Sequence, residues 1–174
     1  MGQVSAQEAI ALLDQLIATP SHSREESGTG DVIEAFLRAQ GVDVQRIYNN
    51  VWARCVAFDS NKPTLLLNSH HDTVKPSVAY TFDPYTPLHR DGRIYGLGSN
   101  DTGGSLVAMI AAFCRLARRE QPYNLILLAS AEEEVTGVNG VRAVLSELGD
   151  VDFAIVGEPT SLQPAVAEKG LMVL

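Results

Sequence analysis

Apolar residues recur at intervals of three and four along the first part of the chain, which predicts two amphipathic helices. Ser5 and Glu8 have the spacing of a capping box before the first helix, and Pro20 marks its end. Gly41 is the expected C-terminal stop of the second helix. The predicted buried face of the first helix consists of Ile10, Leu13, Leu16 and Ile17, and that of the second consists of Val32, Ile33, Phe36 and Leu37.

Strand-like segments alternate with helical segments over the rest of the chain. Residues 42–48 and 51–58 have the pattern of a hairpin with its turn at Asn49-Asn50. Short apolar runs predict buried strands at 64–68, 125–129 and 153–156, longer patterns predict helices at 105–119 and 138–148, and a segment rich in Pro, Tyr and Thr predicts a loop at 75–88. This alternation predicts an α/β domain with a mixed, mostly parallel sheet and helices on both faces.

Length and charge exclude several classes of protein. The 174 residues suit one domain, and 13 Lys+Arg against 21 Asp+Glu give a net charge of −8, which argues against a nucleic-acid partner. The longest apolar run, residues 106–114, is far shorter than the roughly 20 residues that cross a bilayer, so no membrane association is expected. Cys55 and Cys114 lie in apolar stretches, which is typical of core thiols in a reducing cytoplasm.

The candidate chemistry lies just after the predicted buried strands. His70 and Asp72 follow the first of these strands, the acidic run 132–134 follows the second, and Glu158 follows the third. In open α/β sheets, ligands bind at the carboxyl ends of the strands, so these side chains are expected to meet in one crevice. Asp101, which precedes the predicted helix 105–119, is expected to join them.

Carboxylates crowded at a dry sheet edge repel one another, and a pair of divalent metal ions would resolve that repulsion. Imidazole nitrogen and carboxylate oxygen are ligands that suit zinc, and a bridging carboxylate suits a two-metal site. Asp72, two residues beyond His70, is placed to accept the other ring N–H and so fix the tautomer of the imidazole.

Each signal taken alone has a simpler explanation. His70-x-Asp72 is common as a loop hydrogen bond, three successive glutamates are common at a solvated helix start, and a Gly-rich turn needs no function. Residues 98–105 also match the phosphate-loop spacing, but Gly104 stands where that motif requires Lys, and Asp101 would repel phosphate. The coincidence of the acids with strand ends favours the metal site, and nucleotide binding is not expected.

Four segments in this order and spacing resemble the dinuclear zinc aminoacylase and carboxypeptidase family, and the resemblance runs from the first predicted helix to the last residue. The segments are Asn68-Ser-His70-His-Asp72-Thr-Val74, Gly96-Leu-Gly98-Ser-Asn-Asp101, Ser130-Ala-Glu132-Glu133-Glu134 and Gly157-Glu158-Pro-Thr-Ser-Leu-Gln-Pro164. The resemblance implies a zinc exopeptidase-like catalytic domain, two Zn²⁺ per complete active site with Co²⁺ as a substitute, and a cis peptide bond between Asp101 and Thr102.

The resemblance also implies a role for each matching residue. It makes His70 and Glu158 ligands of one zinc ion, Glu134 a ligand of the other, Asp101 the bridge between them, Asp72 the residue that orients His70, and Glu133 the general base. Gly103-Gly104 replaces the Lys-Gly that family members often have there, at a position that holds no ligand.

Family enzymes are about twice as long, with a dimerisation domain inserted after a segment like residues 167–174. The expectation is therefore that residues 1–174 form the N-terminal part of the catalytic domain, without the dimerisation domain and the C-terminal return segment. The full-length protein is then expected to be a homodimer.

The expected activity is removal of an N-acyl group from an amino acid. The segment from Gly157 to Pro164 is most similar to acetylornithine deacetylase, which implies N-acetyl-L-ornithine as substrate and a place in arginine biosynthesis. Deacylases of N-acetylcitrulline, N-succinylornithine or succinyl-diaminopimelate stay open as alternatives, as does a non-catalytic metal-binding fragment.

Overall fold

The computed structural model describes residues 4–161 and 163–166, and its elements follow the predicted alternation. In chain order they are α1 Ala6–Ala18, α2 Ser27–Ala39, β1 Val44–Ile47, β2 Asn50–Arg54, β3 Thr64–His70, β4 Leu88–Arg90, β5 Arg93–Tyr95, α3 Gly104–Leu116, β6 Asn124–Ser130, α4 Leu145–Leu148 and β7 Phe153–Val156. The segment 167–174, after which the resemblance places a dimerisation domain, lies outside the described residues.

Helix α1 begins at the predicted capping box. The Ser5 hydroxyl accepts from the backbone N–H of Glu8, and the Glu8 carboxylate accepts from the backbone N–H of Ser5. The predicted burial of Ile10 is wrong, since its side chain is 42% exposed. The buried face centres on Leu12, Leu13 and Leu16 and leaves Ile10 at its margin.

Five strands form one mixed sheet in the order β1-β2-β6-β3-β7. The β1–β2 and β2–β6 pairs are antiparallel, whereas β3 pairs in parallel with both β6 and β7. Every residue of the central strand β6 is buried, and its side chains alternate between two cores. One core lies under α1, α2 and α3, and the other lies under α4, so helices cover both faces as predicted.

The hairpin turn lies one residue earlier than predicted. Ile47 pairs with Asn50, so the two turn residues are Tyr48 and Asn49 rather than Asn49-Asn50. Tyr48 adopts a φ of 53°, and Asn50 is fully buried at the start of β2. Asn50 is placed there because its side-chain amide donates to the carbonyl oxygens of Ile47 and Asn139.

Two other predictions are wrong. The predicted helix 138–148 is a 3₁₀ turn at Val141–Ala143 followed by the short helix α4, because Glu132 accepts hydrogen bonds from both the backbone and the side chain of Asn139. Strand β7 is exposed rather than buried, because in the described part of the chain it pairs with β3 alone at the sheet edge.

No helix in the described ranges is long and apolar enough to cross a membrane.

Candidate metal centre

His70 is the last residue of β3, which lies between its two parallel neighbours. It pairs in register with Ser130, the last residue of β6, while β7 runs alongside the preceding part of β3. The carboxyl ends of all three strands therefore meet at one edge of the sheet, as the sequence predicts. The imidazole is almost fully buried, with 1% of its surface exposed.

The two ring nitrogens of His70 have different surroundings. Nδ1 donates to the backbone carbonyl oxygen of Asp72 over 2.9 Å and lies 3.5 Å from the Asp72 carboxylate. Nε2 faces three carboxylates, with distances of 3.2 Å to Asp101, 3.7 Å to Glu133 and 3.9 Å to Glu158. The bond at Nδ1 leaves the lone pair of Nε2 free for a metal ion once that nitrogen is deprotonated.

Asp72 is fully buried, and its hydrogen bonds connect three parts of the chain. Its Oδ2 accepts from the Ser23 hydroxyl over 2.7 Å and from the Glu134 backbone N–H over 3.2 Å. Its Oδ1 accepts from the Glu133 backbone N–H over 3.1 Å. Burial by itself would raise the pKa of Asp72, but hydrogen bonds from His70, Ser23 and the Glu133 backbone outweigh it and lower that pKa. The Asp72 side chain behind the imidazole is thus held in its anionic form at neutral pH.

Asp101 is brought to His70 by a tight turn, Ser99–Gly103, that precedes α3. Gly98 starts the turn at a φ of +72°, where a Cβ would lie 2.6 Å from the Thr73 methyl group. The Asp101–Thr102 peptide bond is cis, as the resemblance implies. The Thr102 hydroxyl is held between Ser69 and the His70 carbonyl oxygen, so the turn is fixed directly to the end of β3.

The acidic side chains at this edge repel one another. Burial, followed by the charge of Asp101, raises the pKa of Glu134, and burial with the charge of Glu133 raises that of Glu158. Burial would lower the pKa of His70, but Asp72, Glu133 and Glu158 together raise it to about 9. Within the described ranges, no Lys or Arg forms an ion pair with Asp101, Glu133, Glu134 or Glu158.

This donor set fits a divalent cation. Ligand atoms of His70, Asp101 and Glu134 all lie within 4.8 Å of one another, and they combine one imidazole nitrogen with carboxylate oxygens, as zinc sites do. A cation here would neutralise carboxylates for which the described residues supply no cationic side chain other than the imidazole. Every predicted site residue therefore lies in one cluster, with Asp72 behind it.

Sequence reasoning missed several residues that support this cluster. Ser23 donates to Asp72, Thr102 donates to the His70 carbonyl oxygen, and Glu26 and Asn50 accept hydrogen bonds from the segment that precedes Glu133. Nothing in their local sequence indicates the contact, because each partner is far away along the chain; Glu132 lies 106 positions beyond Glu26.

Comparison with known proteins agrees with the fold. A model of Peptidase family M20/M25/M40 matches residues 66–169. The chain is 33% identical over 170 residues to a succinyl-diaminopimelate desuccinylase from Delftia acidovorans, covering 88% of this chain and 44% of that protein. It is 34% identical over 174 residues to an acetylornithine deacetylase from Proteus mirabilis, covering 92% and 45%. The chain thus spans less than half the length of these relatives.

Solved structures share the fold at lower identity. An M20 family metallo-carboxypeptidase from Sulfolobus solfataricus superposes with a TM-score of 0.69 at 23% identity, over 86% of this chain and 37% of that one. A dinuclear metal binding peptidase of the same family from Bacillus subtilis gives 0.66 at 18% identity, over 86% and 42%. The mixed sheet with its flanking helices is therefore the fold of these catalytic domains.

Proposed function

The chain belongs to Peptidase family M20/M25/M40, and from this premise we propose that its protein is a metal-dependent hydrolase that removes the N-acyl group from an amino acid. The observation that carries the proposal is the placement of His70, whose Nε2 faces Asp101, Glu133 and Glu158 within 4 Å. A buried imidazole aimed at a group of carboxylates is an arrangement that binds metal ions and activates water.

Four residues are the proposed ligands of two Zn²⁺ ions. His70 and Glu158 would hold one ion, Glu134 would hold the other, and Asp101 would bridge them. When bound, the ions would polarise the amide carbonyl and acidify a water molecule. The backbone carbonyl oxygen of Asp72, rather than the expected carboxylate, accepts from Nδ1 and orients the imidazole, while the carboxylate holds the two glutamate backbones in place.

Glu133 is the proposed general base. Its carboxylate lies 3.7 Å from His70 Nε2, and its side chain is about half exposed, so it can meet both water and substrate. It would take a proton from the attacking water as the water oxygen bonds to the carbonyl carbon. The carbon–nitrogen bond then breaks, and Glu133 would return the proton to the departing amine. The reaction needs no covalent bond between enzyme and substrate.

Two acyl groups are supported by different observations. The Gly157–Pro164 segment resembles acetylornithine deacetylase, and one relative at 34% identity carries that name, which supports N-acetyl-L-ornithine. Several other relatives at 32–34% identity are named succinyl-diaminopimelate desuccinylase, which supports the succinylated substrate as the second candidate. Free thiols at Cys55 and Cys114 suit a cytoplasmic location for either reaction.

The test is release of free amine by the complete protein loaded with Zn²⁺ or Co²⁺. N-acetyl-L-ornithine and N-succinyl-diaminopimelate are compared at equal concentration, with Glu133→Gln as the inactive control. We expect hydrolysis of at least one substrate and a loss of at least about a hundredfold in the control. Metal binding without hydrolysis of any N-acyl amino acid would favour the alternative of a non-catalytic metal-binding domain.

A further inference from the structure

Four consecutive backbone N–H groups beyond the end of β6 donate to side chains from distant parts of the chain. Ala131 donates to Asn50 Oδ1 over 3.0 Å, and Glu132 donates to Glu26 Oε1 over 3.2 Å. Glu133 and Glu134 donate to the two carboxylate oxygens of Asp72. All three acceptor residues, Asn50, Glu26 and Asp72, are fully buried.

Glu26 is the least expected of these acceptors. Its carboxyl group lies in the interior, where burial raises its pKa, and its Oε2 is buried without a hydrogen-bond partner among residues 4–161 and 163–166. A half-satisfied buried carboxyl costs stability, so an apolar side chain would serve a purely structural role better. Its own backbone is fixed at the start of α2, where the carbonyl oxygen accepts from Gly30 and from the Thr29 hydroxyl.

The segment 131–134 carries two side chains of the candidate metal centre. The carboxylates of Glu133 and Glu134 accept no hydrogen bond from any described residue. The Glu133 carboxylate lies 3.7 Å from His70 Nε2. Their positions therefore depend on the backbone that bears them, and that backbone is held by the three buried acceptors.

We propose that Glu26 is a positioning residue, which fixes the backbone at Glu132 and thereby places the carboxylates of Glu133 and Glu134 against His70. This inference deepens the proposed function and rests on it for its catalytic consequence. The hydrogen bond itself is independent of that function, so the two can be tested apart.

Two substitutions separate positioning from support of the core. Glu26→Met keeps the length of the side chain and removes the acceptor, while Glu26→Gln keeps an oxygen acceptor and removes the charge. The matched control is Asn124→Ala, which removes a buried side chain that binds the 59–62 loop at the opposite end of β6. Each protein is followed by hydrogen exchange of residues 131–134, by thermal unfolding and by Co²⁺ titration with its visible absorption spectrum.

We expect Glu26→Met to change the unfolding temperature little, because relief of the buried carboxyl offsets the loss of an acceptor for the Glu132 N–H, yet to exchange the 131–134 amides about tenfold faster. Its Co²⁺ spectrum should change and its Co²⁺ affinity should fall about tenfold. Glu26→Gln should stay within about twofold of the unaltered protein in exchange and affinity. Asn124→Ala should lower the unfolding temperature without a selective change at 131–134.

Several results would overturn the proposal. The first is exchange at 131–134 and a Co²⁺ spectrum in Glu26→Met that both equal those of the unaltered protein. The second is tenfold faster exchange at 131–134 in Glu26→Gln. This second result would contradict the proposal even if the Met variant fails to fold. If the unaltered protein binds no Co²⁺, the proposed function fails, while the exchange comparison still decides the role of Glu26.

Discussion

The backbone N–H of Glu133 donates to Asp72 Oδ1 over 3.1 Å, so the carboxylate behind the imidazole of His70 also holds the proposed general base. Asp72 therefore couples two functions that sequence reasoning treats separately. Its backbone carbonyl oxygen fixes the direction of the His70 ring, and its carboxylate fixes the backbone of the acidic segment that follows β6.

Replacement of Asp72 should weaken metal binding strongly. Asp72→Ala removes the anion near His70 Nδ1 and frees the Glu133 and Glu134 amides, so we expect a loss of about 10- to 100-fold in Zn²⁺ affinity by competition with a chelating dye. Ser23→Ala removes one donor to the same carboxylate and should cost much less. Equal losses in the two variants would contradict the proposed role of Asp72.

Asp101 should be required for stoichiometric metal content. It lies 3.2 Å from His70 Nε2 and belongs to the cluster of ligand atoms with Glu134. Elemental analysis of protein purified without chelator should find zinc in the unaltered chain and almost none in Asp101→Ala. The exposed Glu120→Gln serves as a control of equal charge change and should keep its metal. Retention of zinc by Asp101→Ala would place the site elsewhere.

The sequence predicts the cluster because parallel strands carry their following residues to a common edge. His70, Glu133 and Glu158 come soon after apolar runs, so the sheet brings all three to one edge. The buried residues that support the cluster could not be predicted in this way. Glu26 and Asn50 each bind a backbone group far along the chain, and a local pattern carries no information about such a partner.

The same limit explains the wrong helix at 138–148. Its apolar spacing favours a helix, but Glu132 binds Asn139 from outside the segment and holds the chain in a turn. The apolar composition of β7 likewise predicts burial, whereas its observed exposure follows from its place at the edge of the sheet. In both cases a tertiary contact or position decides the outcome.

Gly137 should not tolerate a side chain. A Cβ at this position would lie 1.8 Å from Glu132 Oε2, so Gly137→Ala would push Glu132 away from Asn139. We expect a loss of about 1–3 kcal/mol in the free energy of unfolding, measured by urea titration. Val138→Ala, at an exposed position beside it, should change stability by less than about 0.5 kcal/mol. A stable Gly137→Ala variant would show that this contact is dispensable.

Cys114 should be a slow nucleophile at neutral pH. Burial, which the charge of Arg118 offsets only in part, raises the pKa of its thiol from 9.0 to about 11. The thiolate is the reactive form and is scarce well below that pKa, so the rate of iodoacetamide labelling should rise about tenfold per pH unit from pH 7 to 10 without a plateau. A Cys55→Ala variant isolates this signal, and the urea-unfolded protein should level off at lower pH.

Two metal ions should bind this chain with unequal affinity. The proposed first ion has an imidazole nitrogen and two carboxylates, from His70, Asp101 and Glu158, whereas the second has the carboxylates of Asp101 and Glu134. The other histidine beside the cluster, His71, is turned inward, since its ring nitrogens contact the Thr29 hydroxyl and the Asn49 carbonyl oxygen.

Isothermal titration with Zn²⁺ should therefore show two binding steps whose dissociation constants differ by about tenfold or more, which corresponds to about 1.4 kcal/mol. Glu134→Gln should remove the weaker step and leave the tighter one nearly unchanged, whereas His70→Ala should weaken the tighter step. Two equally tight steps would mean that the second ion has a ligand beyond Asp101 and Glu134, and the division of residues between the two ions would have to be redrawn.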